Sequence, residues 1–101
     1  MTTPLLLTLI VPWAWQEAVE DLLLAHPEMV PGFTATPSNG HGSEARLVSA
    51  MERVRGHARQ MRFQLVASEA QARQILALLS PRFDNSGIFY WLLPVIEAGR
   101  L

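Results

Sequence analysis

Apolar residues fill Pro4 to Val11 almost without interruption, and Pro12 closes the run. Leu5, Leu7, Leu9 and Val11 fall on one face of a strand, and Leu6, Thr8 and Ile10 on the other. Burial on both sides is therefore expected. The spacing then changes to a helical one, with Trp15, Ala18, Val19, Leu22 and Leu23 on one side and Glu17, Glu20 and Asp21 opposite. His26-Pro27 ends that helix, because the residue before proline avoids the helical region. Gly32 to Thr36 reads as a second strand. Pro37 to Ser43 (Pro-Ser-Asn-Gly-His-Gly-Ser) is a turn-forming cluster that opens a long connection reaching about His57.

Ala58 to Val66 alternates cleanly, with Met61, Phe63 and Leu65 inward and Gln60, Arg62 and Gln64 outward. Ser68 to Gln71 has the form of a capping box. Ala72, Ile75, Leu76 and Leu79 give a second helix its apolar stripe, and Pro81 stops it. Asp84 to Gly87 forms a turn. Ile88 to Ile96 is a fourth strand, apolar on both faces, and Glu97 to Leu101 a short tail.

The order β-α-β-β-α-β predicts an α+β, ferredoxin-like domain over 1–101. It has a four-stranded antiparallel sheet with both helices on one face. Two helices cover one side only, yet the first and last strands are apolar on both. The uncovered side would be a large exposed apolar patch in a monomer, so self-association is expected. The pattern by itself allows a dimer or a trimer.

Composition narrows the function. Half the residues are hydrophobic and only 17% are charged, which excludes an intrinsically disordered chain. No apolar run approaches the ~20 residues of a membrane helix, and no basic stretch opens a signal peptide. A cytoplasmic protein is expected. Cysteine is absent, which removes disulfides, thiolate nucleophiles and Cys-based zinc sites. A net charge of −1 argues against a nucleic-acid partner. Every basic residue is Arg, so Schiff-base and Walker-lysine chemistry are excluded. There is no Gly-x-Ser-x-Gly and no paired carboxylate motif, and an enzyme is not expected.

Three local features carry candidate chemistry. Gly40-His41-Gly42 can turn backbone N–H groups toward an anion, with His41 as a donor or metal ligand; the same residues also make an ordinary tight turn. Arg46, Arg53, Arg55, Arg59 and Arg62 lie within seventeen residues and are offset only by Glu52. Guanidinium groups grip phosphate or carboxylate in two-pronged fashion, although surface arginines are also commonly just solvated. His26, His41, His57, Glu44 and Glu52 are possible metal ligands, but none stands at a recognised metal-site spacing.

Several stretches together resemble the PII-like superfamily of small regulatory proteins. They are Gly32-Phe33-Thr34 followed by Gly40-His41-Gly42, the long connection between the second and third strands, and Ser86-Gly87-Ile88-Phe89 running to Leu93-Pro94-Val95. Glu52-Arg53-Val54-Arg55-Gly56, Tyr90-Trp91 and Gly99-Arg100-Leu101 are similar to a bacterial PII-like family of unassigned function, often encoded beside heavy-metal efflux systems. The resemblance implies a homotrimer with ligand clefts between subunits. It also implies a regulatory role in which residues 37–57 dock on a partner protein, a membrane transporter or efflux component among the possibilities. Gly40, His41 and Gly42 would shape the cleft from one side and Ser86 and Gly87 from the other, with Arg55 or Arg59 neutralising a small anion or nucleotide. The alternative is a metal-binding accessory protein for a divalent metal, using His41 and Glu44. The chain departs from PII proteins at two points. The turn Asp84 to Gly87 has no lysine for phosphate, and residues 37–57 have no modifiable tyrosine. The sequence names no cofactor.

Overall fold

The computed structural model describes residues 3–42 and 58–101. Its elements are β1 (Leu5–Pro12), a 3-10 turn (Trp13–Trp15), α1 (Gln16–Leu24), β2 (Thr34–Gly40), β3 (Ala58–Ala67), α2 (Glu69–Leu79) and β4 (Phe89–Pro94). The strands form one antiparallel sheet in the order β2-β3-β1-β4. This is the expected ferredoxin-like arrangement.

Register assigns each residue to a face. Leu7 lies opposite Leu65 and Leu92, and Leu9 opposite Phe63 and Tyr90. Leu7, Leu9, Val11, Phe63 and Leu65 are essentially inaccessible and meet Val19, Leu22 and Leu23 of α1 and Ile75 and Leu79 of α2. That is the core, and the clean alternation of β3 is what builds its floor. Burying side chains of this size contributes about 1.5–3 kcal/mol each.

The other face bears Leu6, Thr8 and Ile10 from β1, beside Phe89, Trp91 and Leu93 from β4 and Val66 from β3. Phe89 is 66% exposed, Leu93 50% and Val66 41%. Toward β2 the same face turns polar, through Gln64, Arg62, Thr34 and Thr36. Thr8, flanked in register by Gln64 and Trp91, is fully buried and accepts a hydrogen bond from Gln64 Nε2 at 3.3 Å.

Four expectations need correction. β2 starts at Thr34 rather than Gly32 and runs through the expected turn residues Pro37 to Gly40, so the connection opens four residues later. It can do so because β2 is an edge strand, where a proline removes no ladder bond. Trp15 belongs to the 3-10 turn and not to the helical stripe. It is 42% exposed and meets Phe83 edge-to-face at 6.0 Å. Ala18 is exposed, leaving α1 a narrow stripe of Val19, Leu22 and Leu23. β4 ends at Pro94. Val95 N–H still bonds Pro4 O at 2.9 Å, but Ile96 stands in solvent.

The capping box forms as expected. Ser68 Oγ accepts from Gln71 N–H at 3.1 Å, and Gln71 Oε1 accepts from Ser68 N–H at 3.0 Å.

Candidate functional site

The antiparallel order brings the candidate residues to one end of the sheet. Gly40 closes β2 opposite Ala58, Pro12 closes β1 opposite Gln60, and Phe89 opens β4 opposite Ile10. Gly40, His41 and Gly42 therefore share an end with Arg59 and with Ser86 and Gly87. They do not share an edge. β2 and β4 are the outer strands, three strand spacings apart, which is about 14 Å. Within one chain the two halves of the expected cleft stay separate.

The β2 edge presents the first half. Gly40 has no side chain, and the amide of Gln60 lies where a Cβ would project. Gly42 has φ +110°, a backbone region that favours glycine. His41 between them is exposed. Arg59, opposite Asn39, rests its guanidinium over the Trp13 ring at 4.1 Å. Such stacking is worth about 0.5–1 kcal/mol at an exposed site. It also orients the planar fork at the sheet end, which two-pronged anion recognition requires.

The β4 edge presents the second half. Asn85 at φ +60° and Gly87 at φ +86° reverse the chain between α2 and β4. Ser86 is 5% exposed, and its Oγ accepts from Ile88 N–H at 3.2 Å. Its hydroxyl is thus used to close the turn, and its N–H bonds Phe83 O at 3.1 Å. Behind the turn lies a cavity of about 630 Å³, walled by Leu9, Leu76, Leu79, Phe83, Ile88 and Tyr90, with Asp84 to Gly87 at its rim.

Arg55 and Glu44 lie outside the described residues, as do Arg46, Arg53, Glu52 and His57. Among the described residues no three of His, Asp and Glu converge on a metal position. His26 pairs with Glu28 at 3.0 Å beyond the far end of α1. A backbone hydrogen bond, and then the His26 contact, hold the Glu28 carboxyl below the usual carboxylate range. No helix of the described residues is long and apolar enough to cross a membrane.

Sequence reasoning missed the Trp13–Arg59 stack and the Gln60 amide over Gly40. A Trp just beyond a strand-ending proline, with an Arg one residue into a strand, was the only signal for the first. The second had none, because it depends on β2 and β3 pairing through Gly40.

Among solved structures, the chain is similar over its full length to a DUF3240 family protein from Shewanella baltica OS155, at 24% identity and a TM-score of 0.78, covering 99% of that chain. It is also similar over its full length to CPII from Thiomonas intermedia K12, a nitrogen regulatory PII-like protein solved with ADP, AMP and bicarbonate. The identity there is 20% and the TM-score 0.70, over 99% of that chain. CutA from Synechococcus elongatus PCC7942, complexed with a Bis-Tris molecule, aligns with 95% of this chain and 83% of its own at 13% identity and a TM-score of 0.71. No curated protein matches the sequence. These likenesses establish the PII-like fold. The family match spans residues 1–101, and the chain belongs to DUF3240, a family of proteins of unknown function.

Proposed function

We propose that this chain is a PII-like regulatory protein that binds a small anionic ligand in a cleft completed by a second copy. One observation carries the reading. Gly40 to Gly42 with Arg59, and Ser86 with Gly87, lie at the same end of the sheet but on opposite edges. A neighbour's β4 edge set against this chain's β2 edge would join them. The exposed apolar half of the open sheet face gives copies a reason to associate, since Phe89, Leu93 and Val66 would leave water together. A homotrimer closes both contacts with one repeated interface.

The ADP, AMP and bicarbonate bound by CPII suggest the ligand class. Arg59 is the described cation best placed for it, with Arg55 as a further candidate. In this reading residues 37–57 dock on a partner protein, such as a transporter component, and report occupancy to it.

A thermal-shift titration with ADP, AMP and bicarbonate tests the proposal. A ligand at a hundred times its Kd adds about 2.7 kcal/mol to the folded state. At least one of the three should raise Tm, and Arg59→Gln should remove the rise. No response to any, or an unchanged response in Arg59→Gln, would overturn it.

A further inference from the structure

The two indoles of the Trp13-Ala14-Trp15 turn have different neighbours. A 3-10 helix has about three residues per turn, so side chains two positions apart diverge. Trp15 meets Phe83 edge-to-face at 6.0 Å. Trp13 meets Arg59, whose guanidinium lies 4.1 Å from the ring centre. The strand register explains the second contact. Pro12 pairs with Gln60, and one further step along each strand sets Trp13 beside Arg59. From β2, Asn39 pairs with Arg59 on the other side.

Both members of the stack are at the surface. Arg59 is exposed, and Trp13 is 38% exposed. Core packing therefore does not account for the contact. An exposed arginine samples many rotamers and loses that freedom when it grips a ligand. The indole face removes the freedom beforehand. It attracts the charge through its π-cloud, so the stack itself consumes none of the guanidinium N–H donors. A carboxylate in the same place would also hold the fork, but would compete with the ligand for those donors.

We propose that Trp13 is the positioning residue of the anion cleft, holding the Arg59 fork ready for two oxygens of one phosphate or bicarbonate. This rests on the anion-cleft reading above and adds a dependence that charge at position 59 alone would not give. Affinity should follow the aromatic face at position 13.

Calorimetric titration of the full chain with ADP, AMP and bicarbonate, in wild type, Trp13→Leu and Trp13→Phe, tests this role. For whichever ligand wild type binds, Trp13→Leu should weaken binding about three- to tenfold, because the ligand must then order the Arg59 side chain itself. Trp13→Phe restores a ring and should recover part of the loss. The stack is also read in Arg59 directly, by NMR of the ligand-free protein, with the Arg59 Nε–H signal assigned by its loss in Arg59→Gln. Ring shielding should place that signal upfield of the other arginines in wild type and release it downfield in Trp13→Leu. Unchanged affinity in Trp13→Leu, equal losses in the Leu and Phe variants, or an Arg59 signal that does not move would overturn the role of Trp13 and leave the cleft standing. Wild-type protein that binds none of the three ligands would instead overturn the cleft, and the role of Trp13 with it.

Discussion

Single residues at the β4 edge set the shape of the turn. Gly87 sits at φ +86°, where an L side chain costs about 1–2 kcal/mol. Gly87→Ala should lower stability by that amount in urea unfolding. A negligible loss would mean the turn is not held as described. Asp84 bears on binding if the two halves of the cleft meet across copies, because its position in the Ser86–Gly87 turn then brings a negative charge near the bound anion. Asp84→Asn should tighten AMP or bicarbonate binding in a calorimetric titration. A variant that weakened it would contradict the proposed place of this turn in the cleft. On the opposite edge, the Gln60 amide yields to a Cβ at Gly40 because it is the far end of a flexible side chain. Gly40 is thus a choice of shape more than of stability.

Secondary elements divide into those whose pattern is self-sufficient and those decided by their neighbours. β3 is self-sufficient. Its period-two alternation is unbroken from Met61 to Ala67, and Phe63→Ala should cost about 3–5 kcal/mol by calorimetry, since Phe63 is fully buried at the centre of the core. α2 is self-sufficient as well. Ser68→Ala, which removes one arm of the capping box, should cost about 1 kcal/mol. A negligible loss would show that packing alone holds the helix start. β2 is the contrary case. Pro37, Ser38, Asn39 and Gly40 favour turns locally, and only pairing with Met61, Gln60, Arg59 and Ala58 makes them a strand. Edge position is a tertiary property, so it is not legible in the segment itself. Trp15 and Ala18 fit a helical stripe by spacing alone, but the 3-10 turn rotates Trp15 toward Phe83. Val30, buried beyond α1 with its N–H on His26 O at 2.9 Å, carried no periodic signal at all. For the candidate site, the residues to watch were legible from their chemistry. Their separation across the sheet was not, because strand order follows from the crossovers rather than from spacing.

The whole molecule presents one covered and one uncovered sheet face. The uncovered face is apolar along β1 and β4 and polar along β2 and β3, so a copy meeting it would bury mainly Leu6, Ile10, Phe89, Trp91 and Leu93. Phe89→Glu tests this directly. Phe89 is 66% exposed in the single chain, so the charge costs little there, yet at an interface it would be buried and unpaired. The variant should fold, with a circular dichroism spectrum like wild type, and should lose both self-association and the ligand response. A folded variant that still assembled would place the interface elsewhere. In the proposed assembly the Arg59 corner would meet the Ser86–Gly87 turn of a second copy, so the mass of the particle bears on function as much as on packing. Sedimentation equilibrium of the ligand-free protein is therefore the decisive measurement. A particle three times the 11.3 kDa chain mass is predicted. A monomer or a dimer would contradict the threefold cleft and leave the two halves of the site unjoined in the way proposed.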